Sequence, residues 1–126
     1  IRRHGLIQTY FGRTRHLAEA TNRAIRQAYN FQTQANASDL TLISLVRLGK
    51  ALRQKNLPAK IRLTVYDSLI VEVRDDAFWE VADLTQYIMT TLKFPWMTVP
   101  FKVDIEVGNS WGDMKPVDMG QRVLAA

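Results

Sequence analysis

The sequence lacks several features that would assign it to a class of protein directly. It contains no cysteine, which excludes disulfides and thiolate metal sites and fits a reducing compartment. No apolar run approaches the roughly 20 residues that a membrane-spanning helix needs. The first residues, Ile-Arg-Arg-His, are followed by no apolar stretch of the kind found in signal peptides. We therefore expect a chain that works in the cytoplasm, with an organelle as the alternative, and that has no membrane partner.

Common catalytic and cofactor motifs are absent as well. The two histidines, His4 and His16, have no metal-ligand spacing and no apparent partners, so we interpret them as surface residues or phosphate contacts. The sequence contains neither a glycine-rich phosphate loop nor a Ser-His-Asp arrangement.

Acidic residues are scarce in the first half of the chain. Residues 1–60 contain eleven Lys and Arg against two acids, a formal charge of +9, whereas residues 61–126 contain six against ten, a charge of −4. A basic half followed by an acidic half is typical of a protein that binds a polyanion with the first and cations with the second. A chance distribution of surface charge is the alternative.

The apolar periodicity predicts three helices. The segment 22–34 is helix-compatible but polar, 36–38 is expected to break or bend the chain, and 40–52 is strongly amphipathic. A further helix is expected from a cap at Asp75 or Asp76 to about Leu92. The apolar stripe predicted for 40–52 consists of Leu42, Leu45, Val46, Gly49 and Leu52, widened by Leu40 and Ile43.

Alternating apolar residues predict three strand regions. Residues 6–11 are expected to form a short strand that ends at Gly12, residues 61–74 a hairpin, and residues 99–107 a third strand. Together these elements predict an α+β fold, with a small antiparallel sheet (the hairpin plus the third strand) and helices packed on one of its faces.

Asp67 lies at the predicted turn of the hairpin, in the sequence Tyr66-Asp67-Ser68. Aspartate is common in such turns because it tolerates unusual backbone angles and hydrogen-bonds locally, so a plain turn explains it. A hard cation such as Mg²⁺ would need a further carboxylate or phosphate. Asp104 and Glu106 lie on the third strand and could approach Asp67, whereas Asp75 and Asp76 lie at the far end of the hairpin.

Arg26, Asn30 and Gln34 follow one another at intervals of four residues, which places them on one helical face. Such side chains can donate to the acceptors that every base pair presents in the minor groove. A solvated helix surface is the alternative interpretation.

Four segments, taken in order, resemble the C-terminal part of family A DNA polymerases, the bacterial polymerase I type that also occurs in phages and organelles. GLIQTYFGRTRHL (5–17) is similar to the glycine–strand–FGRRR-L stretch that follows the fingers. The second segment, RAIRQAYNFQTQANASDL (23–40), is similar to the family's R-x-x-x-N-x-x-x-Q-G-x-A-A-D segment. The third, IRLTVYDSLIVEV (61–73), is similar to the V-H-D-E-L hairpin called motif C. The fourth, VPFKVDIEVGNSW (99–111), is similar to the family's closing strand.

This resemblance implies a role for each candidate residue. Asp67 would bind the catalytic Mg²⁺ ions of nucleotidyl transfer, flanked by Tyr66 in place of the usual His and Ser68 in place of the usual Glu. The contacts to primer–template DNA would come from Arg26, Asn30 and Gln34, with Arg13 and Arg15 in the basic stretch before them. Ala35 replaces the glycine that normally follows the glutamine.

The resemblance also implies a partner. The family's first catalytic Asp and the fingers helix that grips the incoming dNTP would precede residue 1. We therefore expect a C-terminal fragment or split subunit that works with a second polymerase chain carrying the fingers, the thumb and that Asp. It would comprise a strand and basic loop (1–22), a palm segment (23–115) and a tail (116–126). A non-catalytic nucleic-acid-binding module or a scaffold that has lost catalysis is the alternative.

Overall fold

The computed structural model describes residues 5–17 and 21–120. His4, parts of the region 1–22 and the end of the expected tail lie outside the described residues. The elements in chain order are β1 (Leu6–Gln8), β2 (Thr14–His16), α1 (Asn22–Gln54), β3 (Ala59–Val65), β4 (Ser68–Val73), α2 (Phe78–Thr90), β5 (Ile105–Val107) and β6 (Lys115–Val117), with single 3₁₀ turns at Asp75–Ala77 and Trp111–Asp113. The predicted α+β class is confirmed.

Helix α1 is one continuous helix of 33 residues. It begins at the cap Thr21, whose hydroxyl accepts a hydrogen bond from the Ala24 amide. It ends at a Schellman motif: Asn56 has a left-handed φ of 51°, and the Leu57 amide donates to the Leu52 carbonyl at 3.0 Å. The break predicted at 36–38 is therefore wrong. That stretch contains no proline or glycine, and Asn36 uses its side chain for a tertiary hydrogen bond instead of a local turn.

The core forms where α1 and α2 pack on one face of the β3–β4 hairpin. Leu48 and Leu52 of α1 contact Val81 and Ile88 of α2, and the hairpin closes the cluster. The apolar side chains it contributes are Ala59, Ile61, Leu69, Val71 and Val73. The predicted placement of helices on one face of the hairpin is confirmed.

The buried face of α1 matches the predicted stripe only in part: Leu40 and Leu52 are buried as predicted. Leu48 is fully buried and Ser44 is nearly so, whereas Leu42 is 44% and Val46 is 66% exposed. The periodicity of 40–52 is compatible with either face because apolar residues almost surround the helix there. Packing against α2 selects the face that contains Ser44 and Leu48.

The strands differ from prediction in two respects. The single strand expected at 6–11 is a hairpin, in which Leu6 pairs with His16 and Gln8 with Thr14. The third strand is confined to Ile105–Val107, and it pairs with Lys115–Val117 instead of with β3–β4. Within the described part of the chain there are thus three two-stranded antiparallel sheets. Two of the three residues of β6, Pro116 and Val117, lie in the region 116–126 that is predicted to be a tail.

An aromatic cluster joins the β1–β2 loop to the segment that follows α2. The rings of Tyr10 and Trp96 stack with centroids 4.6 Å apart, and Phe11 meets Phe94 edge-on at 5.0 Å. Aromatic pairs in these geometries contribute about 0.5–1.5 kcal/mol each beyond their buried area. The cluster therefore holds the N-terminal hairpin against the rest of the fold.

Candidate functional site

Asp67 lies at the exposed tip of the β3–β4 hairpin, where Val65 pairs directly with Ser68 across a two-residue turn. The Thr41 hydroxyl of α1 lies 3.2 Å from the Asp67 carbonyl oxygen and 3.1 Å from the Ala37 carbonyl oxygen. Thr41 is only 4% exposed, so this hydroxyl shares its proton between two acceptors at the junction of helix and hairpin. The backbone that carries the Asp67 carboxylate is therefore attached to α1.

The two neighbours of Asp67 are also exposed. Tyr66 is 90% exposed and has a left-handed φ of 53°, which is unusual for an aromatic residue and typical of turns and functional sites. Ser68 begins strand β4. The tip thus presents a phenol, a carboxylate and a hydroxyl to the outside in three consecutive positions.

A cleft of about 680 Å³ adjoins the tip. One wall is strand β4 together with Asp67, and the other is the segment 102–106. Helix α2 supplies an apolar floor that includes Val81, Ala82 and Met89. Asp104 and Glu106, which are expected to approach Asp67, line the same cleft as Asp67. The described residues contain no group of three or more His, Cys, Asp or Glu that could hold a metal ion.

Other carboxylates of the hairpin are engaged in ion pairs away from the tip. Arg62 donates to Glu72 at 2.7 Å, and this guanidinium holds the pKa of Glu72 below its ordinary value, mainly through the hydrogen bond. Arg74 forms a two-pronged pair with Asp76 and lowers the pKa of that carboxyl in the same way. Both pairs are solvent-exposed surface pairs. They leave Asp67 as the carboxylate presented at the turn.

The predicted stripe of Arg26, Asn30 and Gln34 lies on the N-terminal half of α1, and all three side chains are exposed. Thr41 follows Gln34 by seven residues, which is two helical turns, so it points to the same side of the helix. The rise between them is about 10 Å. One rigid helix therefore carries the stripe and holds the Asp67 tip.

Arg13 and Arg15 lie against the same half of α1. The Arg13 guanidinium forms an ion pair with Asp39, whose side chain is 11% exposed, and the Arg15 guanidinium lies over the Phe31 ring at 5.7 Å. The Tyr10 amide donates to the Asn36 side chain at 3.2 Å, which fixes the preceding loop. The Arg13 side chain is 46% exposed and Arg15 is exposed as well, so both add positive charge beside the stripe.

Sequence reasoning missed three residues that position the site. The sequence does carry a signal for Asp39, because it is one of only two acids in the basic half 1–60, and a buried acid in such a region needs a cationic partner. For Thr41 the signal is its spacing of two helical turns from Gln34, which places both residues on the same face of α1. For Asn36 the sequence carries no signal, since its partner is a backbone amide 26 residues away.

Comparison with known proteins agrees with these features. Residues 1–113 match the model of DNA polymerase family A. The chain is 36% identical over 125 residues to DNA polymerase I of Chloroflexus aurantiacus, covering 94% of this chain and 13% of that protein. It is 34% identical over 121 residues to the DNA polymerase of Bacillus phage SP01, covering 85% of this chain and 13% of that protein.

A solved structure is similar as well. The POL domain of Pol1 from M. smegmatis, in complex with DNA primer-template and dNTP, superposes with a TM-score of 0.67 at 27% identity, covering 78% of this chain and 18% of that one. The chain therefore belongs to DNA polymerase family A, as the resemblance predicted, and corresponds to a segment of the polymerase domain. It spans 13% of the length of the two polymerases named above. No helix in the described ranges 5–17 and 21–120 is both long and apolar enough to cross a membrane.

Proposed function

We propose that this chain is the palm-completing segment of a DNA-directed DNA polymerase and supplies one metal-binding carboxylate, Asp67, for template-directed nucleotidyl transfer. The observation that carries the proposal is the anchoring of the exposed Asp67 tip to α1 by Thr41, on the helix that also bears the Arg26 stripe. A catalytic carboxylate must be held to a fraction of an ångström relative to the primer terminus. A rigid helix shared by both features provides such a fixed relation.

The oxygens at the tip suit a hard divalent cation. Carboxylate oxygen is the preferred protein ligand of Mg²⁺, which commonly takes one or two carboxylates together with substrate phosphates. Asp67 would hold Mg²⁺, with Ser68 as a weak neutral neighbour and Tyr66 beside the primer terminus. When bound, such ions acidify an attacking hydroxyl and neutralise charge on the transferred phosphates. Asp67 is the carboxylate at the tip, and we propose that the partner chain supplies the second acid.

The stripe would contact the primer–template duplex. Arg26, Asn30 and Gln34 rise along one face of α1 in steps of about 6 Å, and minor-groove acceptors are common to all base pairs. Contacts of this kind hold a duplex without selecting its sequence, as a replicating enzyme requires. Arg13 and Arg15 add positive charge that can bind phosphates next to the stripe, although Arg13 also forms an ion pair with Asp39.

The partner we propose is a second polymerase chain that carries the fingers, the thumb, the dNTP-binding helix and the first catalytic Asp. The cleft beside Asp67 supports this, because strand residues of β4 and β5 line it together with apolar side chains of α2. An extended segment inserted there could pair with the edge of β4 and bring a carboxylate next to Asp67. We place the assembly in the cytoplasm, which would be that of the host if a phage encodes the chain.

Replacement of Asp67 tests the catalytic proposal. In the complex reconstituted with the second chain, Asp67→Asn should nearly abolish nucleotide addition while leaving binding of primer–template DNA largely intact. Asp75→Asn is the matched control, since Asp75 is an exposed acid at the opposite end of the same hairpin. If Asp67→Asn extends primers at the normal rate, Asp67 is only a turn residue.

A non-catalytic nucleic-acid-binding module, or a scaffold that has lost catalysis, is the second candidate, and Ser68 in place of the usual Glu favours the loss of catalysis. This candidate predicts that the assembled particle binds primer–template DNA but adds no nucleotide, with or without Asp67. Single-turnover extension by the unmodified complex distinguishes the two.

A further inference from the structure

The C-terminal half of α1 and strand β3 form a basic surface that the proposed function does not use. Between Asp39 and Asp67 the chain contains six cationic residues and no acid. All six are exposed: Arg47, Lys50, Arg53, Lys55, Lys60 and Arg62. The helix dipole accounts for cations in the last turn of α1 but not for those on β3. Gly49 lies about 22 Å along α1 from Gln34, so this surface is separate from the minor-groove stripe.

A groove of about 580 Å³, with both apolar and cationic lining residues, lies between α1 and β3 within this surface. Leu45, Gly49, Leu52 and Ile61 line it, and Arg53 and Lys60 stand among its lining residues. On α1 the apolar strip continues outward through Val46 and Leu42, which are 66% and 44% exposed. Exposed apolar surface bordered by charge is typical of sites that bind another protein.

Gly49 keeps this groove open. Glycine in a helix interior costs about 1 kcal/mol relative to alanine, and no turn or positive φ requires it here. A methyl group at this position would lie 3.7 Å from the Ile61 Cδ1 atom and 3.8 Å from the Arg53 Nη1 atom, which are ordinary contact distances. The absence of a side chain is therefore not needed for packing. Its effect is to leave space between Ile61 and Arg53.

We infer that this groove binds an acidic amphipathic peptide segment of a separate protein. Leucine-type side chains of the segment would lie on the apolar floor beside Gly49, and its carboxylates would meet Arg53 and Lys60 at the rim. Charge complementarity selects this occupant, because the charged residues lining the groove, Arg53, Lys60 and Arg62, are all cations, and of these Arg62 is paired with Glu72. An apolar floor within the groove favours a peptide over a nucleic-acid backbone, which presents phosphates but no aliphatic side chains.

Fluorescence anisotropy with a labelled dodecapeptide of three Glu-Leu-Leu-Glu repeats tests this inference on the full chain. We expect it to bind about tenfold more tightly than a Lys-Leu-Leu-Lys peptide and a Glu-Ser-Ser-Glu peptide, a difference of about 1.4 kcal/mol. The double variant R53E/K60E should weaken binding about tenfold, and Gly49→Leu should do the same by filling the groove. Lys115→Glu, an exposed charge reversal on β6, should leave binding unchanged. Far-UV circular dichroism verifies that each variant is folded, and Gly49→Ala replaces Gly49→Leu if the larger side chain prevents folding.

Several results would overturn the inference. Equal binding of the Glu-Leu and Glu-Ser peptides would show that the groove contributes nothing beyond charge. Displacement of the peptide by duplex DNA, with DNA binding lost in R53E/K60E, would assign the surface to nucleic acid. A change of sedimentation coefficient on Gly49→Leu without peptide binding would assign it to a second copy. Loss of peptide binding in the reconstituted polymerase complex would make the groove an internal interface of that complex.

Discussion

Thr41 is the residue through which α1 holds the candidate catalytic tip, and its hydroxyl can be removed almost without change of shape. Thr41→Val keeps the branched side chain and deletes the hydrogen bond to the Asp67 carbonyl at 3.2 Å. A neutral hydrogen bond contributes about 0.5–1.5 kcal/mol net. Since Asp67 is exposed and water can replace the lost donor, we expect the lower half of that range, about 0.5–1 kcal/mol.

The loss should be local to the hairpin tip. A change of 0.5–1 kcal/mol corresponds to about two- to fivefold faster amide exchange for a residue released by local opening. Hydrogen exchange monitored by NMR at Ser68, which pairs with Val65 beside the turn, measures this directly. The melting temperature should fall by only about 2–4 °C.

Thr33→Val is the matched control, because Thr33 makes the same kind of bond, to the Tyr29 carbonyl at 3.4 Å, on an exposed part of the same helix. It should leave exchange at Ser68 unchanged. If Thr41→Val and Thr33→Val have the same effect on Ser68, the tip is not held by Thr41 and the positioning argument fails.

Three further predictions follow from other contacts. Arg26→Ala should weaken binding of primer–template DNA and lower the slope of log K against log salt by about 1, and an unchanged slope would leave Arg26 a plain surface residue. Gly49→Ala should raise the free energy of unfolding, measured by urea titration, by about 0.5–1 kcal/mol, because the added methyl group clashes with no neighbouring atom. A variant that is less stable than the unmodified chain would show that the groove is narrower than described. Arg62→Gln should raise the pKa of Glu72 toward its ordinary value in an NMR titration. Because the pKa of Glu72 is lowered in the folded state, the Arg62–Glu72 pair contributes a small stabilisation at pH values above the ordinary pKa of Glu72. This stabilisation is lost as the pH falls through the lowered pKa. If the pKa of Glu72 stays low in Arg62→Gln, Arg62 is not the cause of the shift.

Local patterns predicted the elements that have strong periodicity. The hairpin at 61–74 and the helix after Asp76 were predicted correctly, because the alternation of a strand and the spacing of a helix are visible within a few neighbouring residues. The same logic placed Arg26, Asn30 and Gln34 on one face of a helix. These features depend on short-range geometry alone.

Features that depend on distant contacts were not predictable in this way. The polar segment around Asn36 was expected to break α1, yet it continues the helix because Asn36 and Asp39 bind the loop that contains Tyr10 and Arg13. The pairing of β5 with β6 was missed because Lys115-Pro116-Val117 is too short to show an alternation. Likewise, no local pattern distinguishes Leu48 from Val46 as the buried residue of α1.

The most direct test of the proposed function is the structure of the chain assembled with its polymerase partner, primer–template DNA, dNTP and Mg²⁺. We predict that a carboxylate from the second chain shares a bound ion with Asp67, at Mg²⁺–oxygen distances of about 2.0–2.1 Å. If no acid of another polypeptide reaches the ion, or if the ion binds away from Asp67, the account of this chain as half of a catalytic metal site is contradicted.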